Sequence, residues 1–311
     1  MKKFKQFLKN VFKKNNTISK DSSKTPSAVK PKVFATKLEL TKTINNNGEN
    51  MKLHILGTGN GGAIKCYNTC FAIENNNEYF LVDGGGGNQI LNQLENANIN
   101  ISNIHNIFLS HIHTDHILGL IWVIRKICQQ IHFGNKYEGN LNVFGCDESI
   151  KTLKMLVDLL FPFAKKCEDR INYIEVKDKE TVNISGLDIT FFDIKAKKDK
   201  QFGFVIEDRL IFAGDEPLNE ELFDFAKNKE WLIHEGFCLD AEEPIFQSHA
   251  KGHCTIKETA TTAQNINAKN LVILHTEDND LKNRKINYTN EAKEYFSGNV
   301  FVPDDLEVIE L

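Results

Sequence analysis

Residues 104–110, Ile-His-Asn-Ile-Phe-Leu-Ser, form an apolar strand pattern that runs directly into His-Ile-His-Thr-Asp-His at 111–116. In an extended segment, side chains two apart leave the same side of the chain. His111, His113 and Asp115 therefore share one face, and His116 follows at the start of a helical pattern over 117–130. Three imidazoles and one carboxylate are borderline-soft N and O donors of the kind zinc takes, with manganese and iron as the other candidates. A buried strand that ends in such a cluster requires a fold whose strand ends converge on a metal, one or two ions in this case.

The remaining patterns are consistent with such a fold. Strands are predicted over 51–57, 68–73 and 79–83, with a glycine turn after the first and the run Asp83-Gly84-Gly85-Gly86-Gly87 after the third. A helix over 88–96 follows. Further strands are predicted at 141–145, 171–176, 187–194, 201–207, 209–213, 231–234, 271–275 and 306–311, with helices over 149–161 and 255–266. Runs of strands broken by single helices predict an α/β chain, an αββα four-layer sandwich with two sheets face to face and helices outside. The glycine run lacks the Lys-Ser/Thr partner of a phosphate cradle and is read as a tight strand-to-helix turn.

With 41% hydrophobic and 26% charged residues in 311, there is material for a large core without staples. The net charge of −4 offers no global field for nucleic acid, so a phosphate-bearing substrate must be recruited by a metal or a local patch. Seven cysteines without paired spacing point to reduced thiols and a cytoplasmic protein. Cys66 and Cys70 lack the second pair that a structural zinc site needs. Three regions are expected: a basic amphipathic segment over 1–14, a flexible linker over 15–50, and a folded domain carrying the candidate metal site over 51–311. In the first, Phe4, Phe7, Leu8, Val11 and Phe12 share a helical face among lysines. Peripheral contact with an anionic membrane, docking on a partner, and a solvated leader all remain open for it.

The motifs after residue 50 resemble, in order, the metallo-β-lactamase superfamily, and within it the ribonuclease Z branch. Leu56-Gly57-Thr58-Gly59 resembles that branch's first glycine loop, and Asp83 to Gln89 its DCGEGTQ segment. Ala213-Gly214-Asp215, His234-Glu235-Gly236-Phe237, His253-Cys254-Thr255 and Leu274-His275-Thr276 are similar to the later motifs. The resemblance implies that His111 and His113 bind one metal, that Asp115, His116 and His275 bind a second, and that Asp215 bridges them. It further implies that Asp115 orients the attacking water, that Glu235 and His253 protonate the leaving oxygen, and that the protein is a homodimer. Each later match also has a bland reading: Asp215 as the cap of the 216–218 turn, Glu235 as a surface carboxylate, His253 as a loop histidine. Cys254 is read as a small side chain standing where the family has serine.

Two departures stand out. The family's further histidine for the first metal falls at or close to Lys197, and an ammonium is no metal ligand. Asp199, His234 and His249 are the candidate replacements, and Lys197 is the candidate contact for a substrate phosphate. Gly203 and Asp215 are only twelve residues apart, so the long arm with which the family clamps transfer RNA has no room. The leading expectation is a ribonuclease Z-like phosphodiesterase, with RNA among its candidate substrates. The alternatives are a hydrolase of a small ester, thioester or lactone on the same fold, and a degenerate metal-binding protein without activity.

Overall fold

The computed structural model describes residues 51–134 and 136–311; the segments 1–14 and 15–50 lie outside them. Seven strands form the first sheet: β1 (Lys52–Gly57), β2 (Cys70–Asn75), β3 (Glu78–Val82), β4 (Ile104–Leu109), β5 (Leu141–Gly145), β6 (Ile171–Glu175) and β14 (Val308–Glu310), ordered β14-β1-β2-β3-β4-β5-β6. The second holds β7 (Thr181–Ile184), β8 (Leu187–Asp193), β9 (Phe202–Ile206), β10 (Leu210–Phe212), β11 (Trp231–Glu235), β12 (Asn270–Leu274) and β13 (Asn299–Phe301), ordered β13-β12-β11-β10-β9-β8-β7.

Between the sheets lies a core rich in phenylalanine. Phe71, Phe80, Phe108, Phe191, Phe204 and Phe212 are almost fully buried there, and edge-to-face pairs such as Phe108–Phe204 fill the layer. On the central strands the alternate residues face outward onto helices. On the first sheet pack α1 (Gln89–Asn96), α2 (Thr114–Phe133) and α3 (Asp147–Leu160); on the second pack α4 (Ile256–Asn265) and α5 (Leu281–Tyr295). The four-layer αββα sandwich expected from the strand and helix patterns is the observed architecture.

Strands β7 and β13 and helix α5 are among the elements that lie outside the sequence reading. Strand β7 pairs with β8 through a turn at Ser185 and Gly186, both with positive φ. Helix α5 buries only Arg284, Tyr288 and Ala292, a seam too thin to register as an apolar period. All seven cysteines are free, so Cys66 and Cys70 form no bridge. No helix among the described residues is long and apolar enough to cross a membrane.

The site is placed by strand direction. Strands β3, β4 and β5 run parallel in one sheet, as do β10, β11 and β12 in the other. Their carboxyl ends therefore open at one edge of each sheet, where open α/β folds gather ligands. There α2 presses against the glycine run. The Gly119 N–H donates to the Gly85 carbonyl at 2.8 Å, and the Gly84 N–H to the His116 carbonyl at 2.9 Å. A Cβ at Gly119 would lie 1.7 Å from the Gly84 carbonyl oxygen, so this close approach explains the run without any phosphate.

Candidate metal centre

Each histidine of HIHTDH has one ring nitrogen engaged by oxygen, which determines the nitrogen that remains. Asp83 follows β3 and holds three groups. It accepts the Ser110 N–H at 2.8 Å and the Ser110 hydroxyl at 2.7 Å, and lies 2.8 Å from His116 Nδ1. A carboxylate only accepts, so Nδ1 of His116 carries the hydrogen and Nε2 is free for a metal. Ser110 Oγ, having given its own hydrogen to Asp83, lies 3.0 Å from His111 Nδ1 and accepts from it. Nε2 of His111 is thereby left free as well. Asp83 was legible only as the start of a glycine turn; its anchoring role is a product of the fold.

The free nitrogens converge on Asp215. Its Oδ2 lies 3.5 Å from His111 Nε2, 3.2 Å from His116 Nε2 and 3.3 Å from His275 Nε2. Asp115 Oδ2 lies 3.4 Å from both His116 Nε2 and His275 Nε2. Donor atoms tetrahedral about zinc at its usual bond lengths stand about 3.3 Å apart. Both oxygens of Asp215 and Nε2 of His111 and His116 are buried with no hydrogen-bond partner among the described residues. Such atoms are costly unless something polar takes them. The donor set, its spacing and its unsatisfied atoms fit a divalent cation. Among the described residues three groups bring their ligand atoms within 4.8 Å of one another: His111, His116 and Asp215; Asp115, His116 and His275; and Glu235, His253 and His275.

Electrostatics agree. Burial drives the His111 ring well below its usual range, outweighing the pull of Asp215, so it stays neutral. Burial opposes a charge on His116 too, but Asp115, Asp83 and Asp215 together raise it well above the usual histidine range, so without a cation its Nε2 holds a proton that a bound metal would displace. Burial works against the charge on Asp215 and Asp115, yet the neighbouring imidazoles hold both carboxyls below the ordinary carboxylate range. Two ionised carboxylates in a dry pocket are the charge a cation compensates.

Next to this cluster lies a second pair. Glu235, at the end of β11, is fully buried and lies 2.8 Å from His253 Nδ1; burial pushes its carboxyl up to about 8, against the pull of His275. His253 Nδ1 also lies 2.8 Å from the Asp215 carbonyl, an acceptor, so it carries a hydrogen, and Nε2 has no hydrogen-bond partner among the described residues. The other Glu235 oxygen accepts the Cys254 N–H at 2.9 Å. Cys254 thus contributes its backbone here, while burial raises its thiol well above the usual range. Glu235 is no surface carboxylate, and the unpartnered Asp215 caps no turn.

His275 follows β12 with φ of 55°. The loop behind it is pinned by Arg284, whose buried guanidinium donates to Thr276 Oγ1 at 2.8 Å, Thr58 Oγ1 at 3.2 Å and the Pro303 carbonyl at 3.0 Å. Nothing in the sequence pattern marked Arg284, because its partners lie on three distant loops.

The candidate replacements for the missing imidazole separate. Asp199 Oδ2 lies 2.9 Å from His113 Nε2. His234 is fully buried with Nδ1 at 3.3 Å from the Gly214 carbonyl, and it falls in none of the ligand groups. His249 lies 3.0 Å from Glu258, away from the cluster. Lys197 is exposed; its N–H donates to Glu216 at 2.9 Å, and it lines, with His253, a cavity of about 740 Å³. Between Gly203 and Asp215 the chain is filled by the tight β9–β10 hairpin.

The sequence model of the family described as Anti-Pycsar protein Apyc1 matches residues 51–295. The chain belongs to that family. It is also 25% identical to a Ribonuclease Z of Streptococcus pneumoniae serotype 19F (strain G54), over 84% of this chain and 100% of the relative. Its fold is similar to that of the metallo-β-lactamase fold protein YhfI from Bacillus subtilis, with a TM-score of 0.70 and 21% identity over 84% of this chain and all of that one. It is similar as well to the short form of human tRNase Z, with a TM-score of 0.63 and 19% identity over 83% and 98% of the two chains. This family member is thus a ribonuclease Z-like protein of the metallo-β-lactamase fold, a metal-dependent hydrolase.

Proposed function

We propose that the chain hydrolyses phosphodiesters at this centre, with zinc as the cation and Asp215 between two metal positions. The observation that carries the reading is the Asp215 carboxylate. It is buried, has no hydrogen-bond partner, and lies within 3.5 Å of three imidazoles beside the Glu235–His253 pair. Asp115, His116, His275 and Asp215 would hold one ion, and His111, His113 and Asp215 the other. Bound there, a divalent cation supplies Lewis acidity to a phosphoryl oxygen and an activated water.

The chain's own residues do the rest. Asp115, beside His116 and His275, orients the attacking water. Glu235 holds the hydrogen of His253 Nδ1, so that a proton on Nε2 can pass to the leaving oxygen as that bond breaks. Lys197, without an ion-pair partner among the described residues, stands at the rim as a point charge for the phosphate. The short β9–β10 hairpin leaves no arm, which favours small phosphodiesters, cyclic as well as linear, over precursor transfer RNA. The anti-Pycsar role in the family's description would be exercised through this site.

The test is a substrate panel with zinc-loaded protein: a linear aryl phosphodiester, a cyclic phosphodiester, a precursor transfer RNA, a lactone and a thioester. Turnover of at least one phosphodiester, abolished by chelation and restored by zinc or manganese, is the expected outcome. Turnover of only the lactone or thioester would move the reading to small esters, and no bound metal by elemental analysis would make the site degenerate. His253→Ala and Glu235→Gln should each lower kcat by about 10²–10⁴-fold with a smaller change in KM. Equal losses in KM alone would remove the pair from proton transfer.

A further inference from the structure

We infer that Asp199 is a positioning residue that commits His113 to binding metal through Nδ1, in place of the imidazole that related sites draw from the same loop. The inference rests on the reading of HIHTDH as a metal centre. Three observations carry it. First, Asp199 Oδ2 lies 2.9 Å from His113 Nε2. The carboxylate can only accept, so Nε2 carries the hydrogen and Nδ1 keeps the ring's lone pair. Second, among the described residues the Asp199 side chain pairs with His113 alone, and both stand part-exposed at the rim. Its carboxylate therefore acts through the His113 ring and is no substitute ligand beside His111 and Asp215. The His111 and His113 rings meet edge to face with centroids 4.4 Å apart, which keeps the His113 ring beside the cluster.

Third, the loop that presents Asp199 is tied down on both sides. The Ile194 N–H donates to the Gln201 carbonyl at 3.1 Å and closes its base. The Lys197 N–H is fixed on Glu216, Lys198 Nζ reaches the Lys251 carbonyl at 2.6 Å, and Lys200 Nζ reaches Asp147 at 2.6 Å. A carboxylate on a stem held this way orients its imidazole and raises the ring's basicity, an effect worth about 10–100-fold in metal affinity elsewhere. One position then has His111, His113 and Asp215 as protein ligands, the other Asp115, His116, His275 and Asp215. Two equivalents of unequal affinity follow.

Competition of the zinc-loaded full chain with a graded chelator tests this, together with ¹⁵N-histidine NMR of the same sample. Native protein should release one equivalent well before the other, and His113 should show a hydrogen on Nε2. Asp199→Ala should weaken the looser equivalent by about 10–100-fold and leave the tighter one unchanged. Asp199→Asn, whose amide oxygen still accepts from Nε2, should restore most of that loss. An unchanged looser equivalent in Asp199→Ala, or a hydrogen on Nδ1 of His113 in the native protein, would overturn the inference. Asn failing as badly as Ala would do the same, because it would make Asp199 a ligand. None of these readouts depends on which bond is hydrolysed, so a failed phosphodiester panel would leave the result intact.

Discussion

Asp215→Asn is expected to lower hydrolysis by at least about 10³-fold, or ~4 kcal/mol of barrier, and to reduce the bound metal. The change is nearly isosteric, so the effect comes from charge. Among the described residues, Asp215 Oδ2 is the oxygen that lies within 3.5 Å of His111, His116 and His275 together. An amide cannot bridge two cations through one anionic group, and its NH₂ would face imidazole nitrogens meant to donate lone pairs. The metal-free protein should not be destabilised. Both Asp215 oxygens lack hydrogen-bond partners, and Asp115 and Asp83 remain beside His116. The variant should therefore melt near the native metal-free protein but gain little from added zinc, since a ligand stabilises only in proportion to its binding. Elemental analysis and thermal melts with and without zinc decide the matter. Full metal content with activity within tenfold of native would refute the bridging role.

Gly119→Val should be strongly damaging although it lies outside the metal cluster, costing about 3–5 kcal/mol or preventing folding. A Cβ at 119 would sit 1.7 Å from the Gly84 carbonyl oxygen and 2.5 Å from its carbon. Both clashing atoms are backbone, so no rotamer change relieves the overlap. Helix α2 would have to lift off the glycine run, breaking the Gly119-to-Gly85 and Gly84-to-His116 hydrogen bonds and carrying His116 with it. Gly87→Ala is the matched control, because nothing lies within 4 Å of the position its Cβ would occupy. It should stay within about 0.5 kcal/mol of native. Chemical denaturation of both variants, metal-free, checks the pair; equal midpoints would show that the run is not a packing surface.

Much of this was readable residue by residue. Strand ends, the helix after HIHTDH and the motif order follow from local periodicity and spacing, which short-range sterics and burial govern. Helix α5 escaped because its buried seam is Arg284, Tyr288 and Ala292, in which a charged residue takes an apolar place. Arg284 is tolerated there because Thr58, Thr276 and Pro303, far apart in the chain, meet its guanidinium. Asp83 escaped for the same reason: its partners Ser110 and His116 lie on the next strand and helix, not beside it in sequence.

The sequence by itself determined the donor types, since three imidazoles and a carboxylate in six residues specify metal chemistry wherever they fold. It also determined the absence of an arm, because the eleven residues between Gly203 and Asp215 suffice only for a hairpin. Only the tertiary structure decided which nitrogen each histidine offers. That depends on the acceptor on the opposite side of each ring: Asp83 for His116, Ser110 for His111 and Asp199 for His113. Those acceptors come from other strands and loops, and a hydrogen bond requires a distance and a direction that no spacing along one chain segment can supply.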